Sequence, residues 1–228
     1  MKIIVGNWKM NGNLGEKESM LSALQSIKTN HKVILCVPFP LIYGDGFGTN
    51  IGAQDVSNHE NGAFTGDVSA QMLVDAGVKY VIVGHSERRL YHNETNEIVR
   101  EKATIAIKHG ITPIICIGET MEEKNAGHTI SVIKQMLMES IPDNGEYIIA
   151  YEPRWAIGSG LTPTNNEIVT AVKTIFDTLP QPMPILYGGS INQSNAHDIA
   201  SIPYIDGLLI GGASLKSETF IPIINSVD

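Results

Sequence analysis

The sequence predicts a single-domain parallel (β/α)8 barrel spanning residues 1–228, with a shortened crossover after the second strand. Three observations carry this. Short apolar, β-branched runs recur eight times, the segments between them have helical period, and no Gly/Ser/Pro-rich linker interrupts the alternation. The runs are also continuous, without the apolar/polar alternation of a half-exposed sheet. That is the signature of strands covered on both faces, hence of parallel pairing. Eight units fit a closed barrel best, although a strand count does not by itself exclude an open sheet.

In chain order the expected strands are Ile3–Trp8, Val33–Pro38, Ile51–Asp55, Tyr80–His85, Pro113–Gly118, Tyr147–Glu152, Pro184–Gly189 and Gly207–Gly212. After the first, Met20, Leu21, Leu24 and Ile27 form a helical stripe. After the second, Phe39–Asn50 is too short and too glycine-rich for a full helix. Pro40 and three alternate glycines, each disfavouring helix by roughly 1 kcal/mol, predict an irregular loop. Leu41, Ile42, Tyr43 and Phe47 are expected to cover strands two and three from it. Gly44–Gly48 has the wrong spacing and place for a nucleotide-binding loop. After the fourth strand, Ile98, Val99, Ala103 and Ala106 mark a helix that Gly110 stops. After the sixth, Thr164-Asn165-Asn166-Glu167 reads as a capping box opening a helix with Ile168, Val172, Ile175 and Leu179 on one face and Pro180 at its end.

A net charge of -8 argues against nucleic acid or an anionic membrane as the main partner. Cys36 and Cys116 each lie in an apolar run and read as reduced core thiols. No run approaches the roughly 18 apolar residues of a membrane span, and the start has no signal-peptide pattern, so a soluble, cytoplasmic protein is expected.

In a barrel of this kind chemistry sits at the carboxyl ends of the strands. Asn7 and Lys9 close the first, His85 the fourth with Ser86-Glu87-Arg88 after it, and Glu152 the sixth. Gly188-Gly189-Ser190 and Gly211-Gly212 close the seventh and eighth. Singly, each has a bland reading as a solvated charge or a turn glycine. Together they put one carboxylate, one imidazole, one ammonium and two glycine-rich loops on one rim. The loops suit a phosphate, and a carboxylate with an imidazole, without nucleophile or metal, suits proton transfer beside a carbonyl. His31, His59, His92, His109, His128 and His197 show no metal-ligand spacing.

Asn7-Trp8-Lys9-Met10-Asn11, Gln54-Asp55, Gly62–Gly66, Gly84–Arg89, Ala150–Pro153 with Trp155–Gly158, Tyr187–Ser190 and Gly211–Leu215 resemble the triosephosphate isomerase family, in that family's order over nearly the whole chain. The resemblance implies a TIM barrel and a cofactor-free isomerase of triose phosphates, with neither cofactor nor metal. It makes Glu152 the base, His85 a neutral electrophile and Lys9 the cation. Asn7 would assist at the same oxygens, and Glu87 would accept from Lys9. It puts the phosphate on Gly158, Ser190, Gly211 and Gly212, and makes Pro153–Thr162 a mobile lid. Arg154 stands where the family has an apolar residue, and the chain is shorter than usual. By the same resemblance the loop Gly62–Asp67 brings Thr65 to a second subunit's Lys9 and His85 in a homodimer, with Arg88 a candidate partner for Asp67. Cys116 matches a family cysteine and reads as packing. The alternatives are another phosphate-binding barrel sugar-phosphate isomerase and a non-catalytic interaction protein on the same fold. The intact Asn7, Lys9, His85 and Glu152 weigh against the second.

Overall fold

A computed structural model describes residues 1–43, 50–157 and 161–227. Its strands are β1 Ile3–Asn7, β2 Lys32–Cys36, β3 Asn50–Ala53, β4 Tyr80–Val83, β5 Thr112–Ile117, β6 Ile148–Tyr151, β7 Ile185–Tyr187 and β8 Gly207–Ile210. All neighbours pair in parallel, and β8 returns to β1, so that Ile3 sits opposite both Lys32 and Gly207 in a closed barrel. The helices are α1 Leu14–Gln25, α2 Ala70–Asp75, α3 Ser86–Tyr91, α4 Asn96–Lys108, α5 Met121–Asn125, α6 Thr129–Ser140, α7 Asn165–Thr178, α8 Ala196–Ala200 and α9 Ser217–Ser226.

The pleat explains the continuous apolar runs. Val5, Ile34, Cys36, Ile82, Ile114, Cys116, Ile148, Ala150, Leu186 and Leu209 pack on one another as one buried cluster, made wholly from strands, which is the barrel interior. The alternate positions, Ile4, Leu35, Val81, Val83, Ile115, Ile149, Ile185 and Leu208, join a second cluster with the helices. Both cysteines are buried and unbridged, and burial pushes the Cys116 thiol well up, so it is an inert packing group.

Most expected helices form where their pattern puts them. The Thr164–Glu167 capping box is present at α7, and Ile168, Val172 and Ile175 are buried beneath it. Leu179 caps α7 in extended conformation, as a residue before proline must. Ile27 is a correction: α1 ends at Gln25, with Ser26 as its cap, so this residue lies beyond the helix. No helix among the described residues is long and apolar enough to cross a membrane.

Between β2 and β3 the described residues hold one 3-10 turn, Phe39–Leu41, closed by amide bonds from Leu41 to Pro38 and from Ile42 to Phe39. Leu41 and Ile42 are buried, as expected. Tyr43 is not. Lys17 Nζ bonds its carbonyl at 2.8 Å and the residue is 86% exposed, so it covers neither strand. Phe47, with residues 44–49, lies outside the described residues.

Behind the rim, four charges form a ring. Lys102 Nζ lies 2.7 Å from Asp55 and 2.5 Å from Glu94, and Arg88 bonds the same two carboxylates at 2.8 and 2.6 Å. Within the chain Asp67 takes the Ser57 hydroxyl at 2.6 Å; its expected pairing with Arg88 is a contact between two subunits. Burial pushes the Glu94 carboxyl up, but Lys102 and Arg88 outweigh it and leave it below its ordinary value of 4.5. A group depressed in this way stabilises the fold above its ordinary value, and that contribution is lost as pH falls through the lower folded one. Lys102→Met should therefore cost about 3 kcal/mol in urea unfolding at pH 7. The deficit should shrink as acid neutralises Glu94.

Candidate active site

The barrel mouth collects the rim residues because the strand parity aims them there. Val5 faces inward on β1, so Asn7 does too. Ile148 and Ala150 face inward on β6, and Glu152 takes the next inward position. His85 has the opposite parity on β4. Gly84, at φ +66°, reverses it, and a side chain there would strike Val99 at 2.6 Å. The result is a cavity of about 380 Å³ lined by Asn7, Lys9, His85, Glu152, Ser190, Gly211 and Gly212, together with Trp8, Asn11, Ile157, Gly188, Gly189, Ile191, Asn192, Leu209 and Leu215.

At its floor, His85 Nε2 stands 3.2 Å from Glu152 Oε1, with both side chains buried. The other oxygen, Glu152 Oε2, accepts the Ser86 amide at 3.2 Å. Gly188 makes room for this carboxylate, since a Cβ there would sit 2.9 Å from Glu152 Cγ. Burial pushes Glu152 up, but the His85 imidazole, the Ser86 amide and the Lys9 charge prevail and hold it below the usual carboxylate range. Glu152 is thus ionised at neutral pH, as a base must be.

His85 caps α3, and its Nδ1 accepts the Glu87 amide at 3.2 Å. That bond needs a lone pair on Nδ1, so the ring donates through Nε2. Two influences oppose each other here. Burial disfavours imidazolium, while the Glu152 carboxylate favours it and prevails, raising His85 above its ordinary 6.5 in this arrangement. The sequence-based expectation of a neutral ring omitted that pull. A group inserted between the two would break their hydrogen bond, while burial and the amide at Nδ1 continue to favour the neutral donor.

Lys9 has φ +51°, a left-handed conformation unusual for a side-chain-bearing residue and costing roughly 1–3 kcal/mol. Asn7 Oδ1 accepts its amide at 3.0 Å, and Glu87 Oε1 takes its ammonium at 2.5 Å. Asn7 therefore orients the lysine as well as facing the cavity, and Glu87 meets Lys9 as the sequence predicts. Opposite them, Gly211 lies close enough that a Cβ would come within 3.5 Å of Lys9 Cε. Ser190 Oγ donates to the Ala156 carbonyl at 2.6 Å, tying the loop after β7 to the chain ahead of residue 158. Gly158, also expected at the phosphate, lies outside the described residues.

The comparisons with known proteins agree with this geometry. A family model described as triosephosphate isomerase matches residues 2–227. The chain belongs to the triosephosphate isomerase family. It is 45% identical to the triosephosphate isomerase of Paracidovorax citrulli, covering 98% of this chain and 97% of the relative. Against that of Rhodopseudomonas palustris it is 43% identical, with 97% and 95% covered. The crystal structure of triosephosphate isomerase from Bartonella henselae superposes with a TM-score of 0.89 at 34% identity, covering 99% of this chain and 98% of that one.

Sequence reasoning missed Glu119, which follows β5 after Gly118. It is 1% exposed and accepts the Trp155 indole N–H at 2.9 Å and the Tyr151 hydroxyl at 3.2 Å. Burial raises its carboxyl above the ordinary value despite those donors. The available signal was a carboxylate two residues past a continuous apolar strand, close to the pattern that singled out Glu152. Asn11 and Asn192 also line the cavity, and single asparagines in turns carry no signal of their own.

Proposed function

We propose that the chain interconverts dihydroxyacetone phosphate and D-glyceraldehyde 3-phosphate through an enediolate, without cofactor or metal. Glu152 removes a proton from one substrate carbon and returns it to the neighbouring one. His85 Nε2 bonds the oxygens that gain charge, assisted by Asn7. Lys9 leaves Glu87 to meet the anionic substrate, and the phosphate rests on the backbones of Ser190, Gly211, Gly212 and Gly158. The observation that carries this reading is the 3.2 Å approach of an imidazole N–H donor and an ionised carboxylate on the floor of a cavity. Lys9 and two glycine-rich loops line the same cavity. A coupled assay on glyceraldehyde 3-phosphate, with chelator present and nothing else added, tests it. Turnover is expected, and its absence from well-folded protein would refute the reading.

The same reading takes the chain as one domain over residues 1–228, working in the cytoplasm as a homodimer. Support for assembly comes from a groove of about 500 Å³ beside Lys9, His85 and Glu87, walled by the exposed Met10, Phe39 and Tyr91. A stiff loop suits it: His59 stacks on Phe64 at 3.7 Å, and Ser57 bonds Asp67 across the loop base. Thr65, at the exposed tip, would enter the groove of a second copy. Light scattering should report a dimer. A fully active monomer would contradict this assignment.

A further inference from the structure

The turn that aims His85 inward leaves a gap in the sheet. The β4–β5 register ends with Val83 opposite Ile115. Continued past that pair, the ladder would give the Cys116 carbonyl to the His85 amide, since a parallel strand bonds a given neighbour at every second residue. Gly84 leaves the ladder at φ +66°, so that rung is lost and the buried carbonyl needs another donor. Arg89, in the last turn of α3, supplies it. Its Nη2 donates to the Cys116 carbonyl at 3.2 Å, and its Nε donates to the Gly84 carbonyl at 2.8 Å. One planar fork thus ties the turn that carries His85 to β5. The next carbonyl of β5, that of Ile117, accepts the Glu152 amide at 2.8 Å, so the same strand end also holds the carboxylate's backbone. Glycine is needed here as well, because a Cβ at position 84 would come within 3.0 Å of Arg89 Nη2.

The fork is itself held from outside the barrel. Nη1 donates to Asn96 Oδ1 at 2.7 Å, and Ser140 Oγ accepts from Nη2 at 3.4 Å while donating to the same Asn96 oxygen at 3.1 Å. Asn96 opens α4, and the fully buried Ser140 closes α6. Arg89 does not line the cavity, so it can act on the chemistry only through His85 and Glu152.

We propose that Arg89 is a positioning residue whose guanidinium stands in for the missing rung and fixes the spacing of His85 from Glu152. That spacing is the 3.2 Å approach of Nε2 to Oε1. The proposal rests on the isomerase reading for its kinetic consequence but not for its structural one. A reacting group displaced by about 1 Å can cost on the order of 10²-fold in rate. Lys9 and the glycine-rich loops make no bond to Arg89, so substrate binding should survive its loss.

The test compares wild type with Arg89→Met, Arg89→Lys, Asn96→Ala and Ile175→Ala. Ile175 is buried in the last turn of α7, so its truncation destabilises the fold without touching the site. Arg89→Met should lower kcat by about 10–10²-fold, with KM within about three-fold of wild type. Lysine keeps the charge but has no fork to span two carbonyls. Arg89→Lys should therefore stay at least about five-fold low in kcat, and it carries the comparison if Arg89→Met does not fold. Asn96→Ala leaves both carbonyl bonds in place, so its kcat should stay within about three-fold of wild type, as should that of Ile175→Ala. In ligand-free protein, the ring nitrogen NMR signals of His85, identified by their loss in His85→Gln, should shift in the Arg89 variants and hold still in the other two. Near wild-type kcat in Arg89→Lys, a loss carried by KM, an equal loss in Ile175→Ala, or unmoved His85 signals would each overturn the proposal. A wild type without isomerase activity would sink the isomerase reading instead, and the His85 signals would still decide the positioning.

Discussion

Replacing Glu152 by glutamine is expected to lower kcat by about 10²–10⁴, the usual value of a positioned general base, with little change in KM. The substitution keeps the shape of the side chain in the pocket beside Gly188 and can still accept the Ser86 amide, so the protein should fold and bind. What it loses is the group able to take a proton. The present geometry also dictates how the rate should respond to acid. Glu152 is held below the usual carboxylate range by His85, Ser86 and Lys9, so its contribution is complete at neutral pH and declines only as pH falls through that depressed value. Steady-state kinetics on the purified variant decide the matter. Retention of most activity would remove Glu152 from the role of base.

The second large effect is at Lys9. The protein carries a net charge of -8, so a phosphorylated substrate approaches against a mildly repulsive field and needs a local cation. On the proposed reading Lys9 is that cation; its backbone is left-handed, Asn7 accepts its amide and Glu87 its ammonium. Lys9→Met should reduce kcat/KM by about 10²-fold or more, the order expected when a charge aimed at developing negative charge is removed. Lys173→Met provides the contrast. Lys173 pairs with Asp177 at 2.5 Å on the surface of α7, away from the cavity, and its loss should leave kcat/KM nearly unchanged. Comparable losses at the two sites would show that the diffuse field matters and the local ammonium does not.

Much of the architecture was legible because the barrel imposes a strong pattern. Strands covered on both faces must be apolar at every position, and the two clusters, one inside the barrel and one beneath the helices, are what the continuous runs at Ile3–Val5 and Ile114–Ile117 record. Helix starts were legible where a side chain bonds its own backbone, as at Thr164. Strand ends were overcalled. Gly84-His85 was read as strand, whereas Gly84 turns out of the ladder so that His85 can point inward. Composition cannot reveal a change of parity. Tyr43 was misplaced: it stands exposed, with its carbonyl bonded by Lys17, a residue distant in sequence, and composition does not record that placement. The site residues at the rim were legible by position and resemblance. Of their supports, Glu119 left a trace as a carboxylate just past an apolar strand, whereas the Arg88–Lys102 ring arises only from tertiary placement.

The central claim is that this cavity moves a proton between adjacent carbons of a triose phosphate by way of Glu152. It is tested most directly by running the isomerisation in deuterium oxide with chelator present and reading the product by proton NMR. A carboxylate base that holds the abstracted proton can exchange it with solvent before returning it. The account predicts turnover with solvent deuterium on the carbon that receives the proton, and loss of both signals in Glu152→Gln. Product formed with no solvent deuterium, or turnover undiminished in the variant, would contradict it.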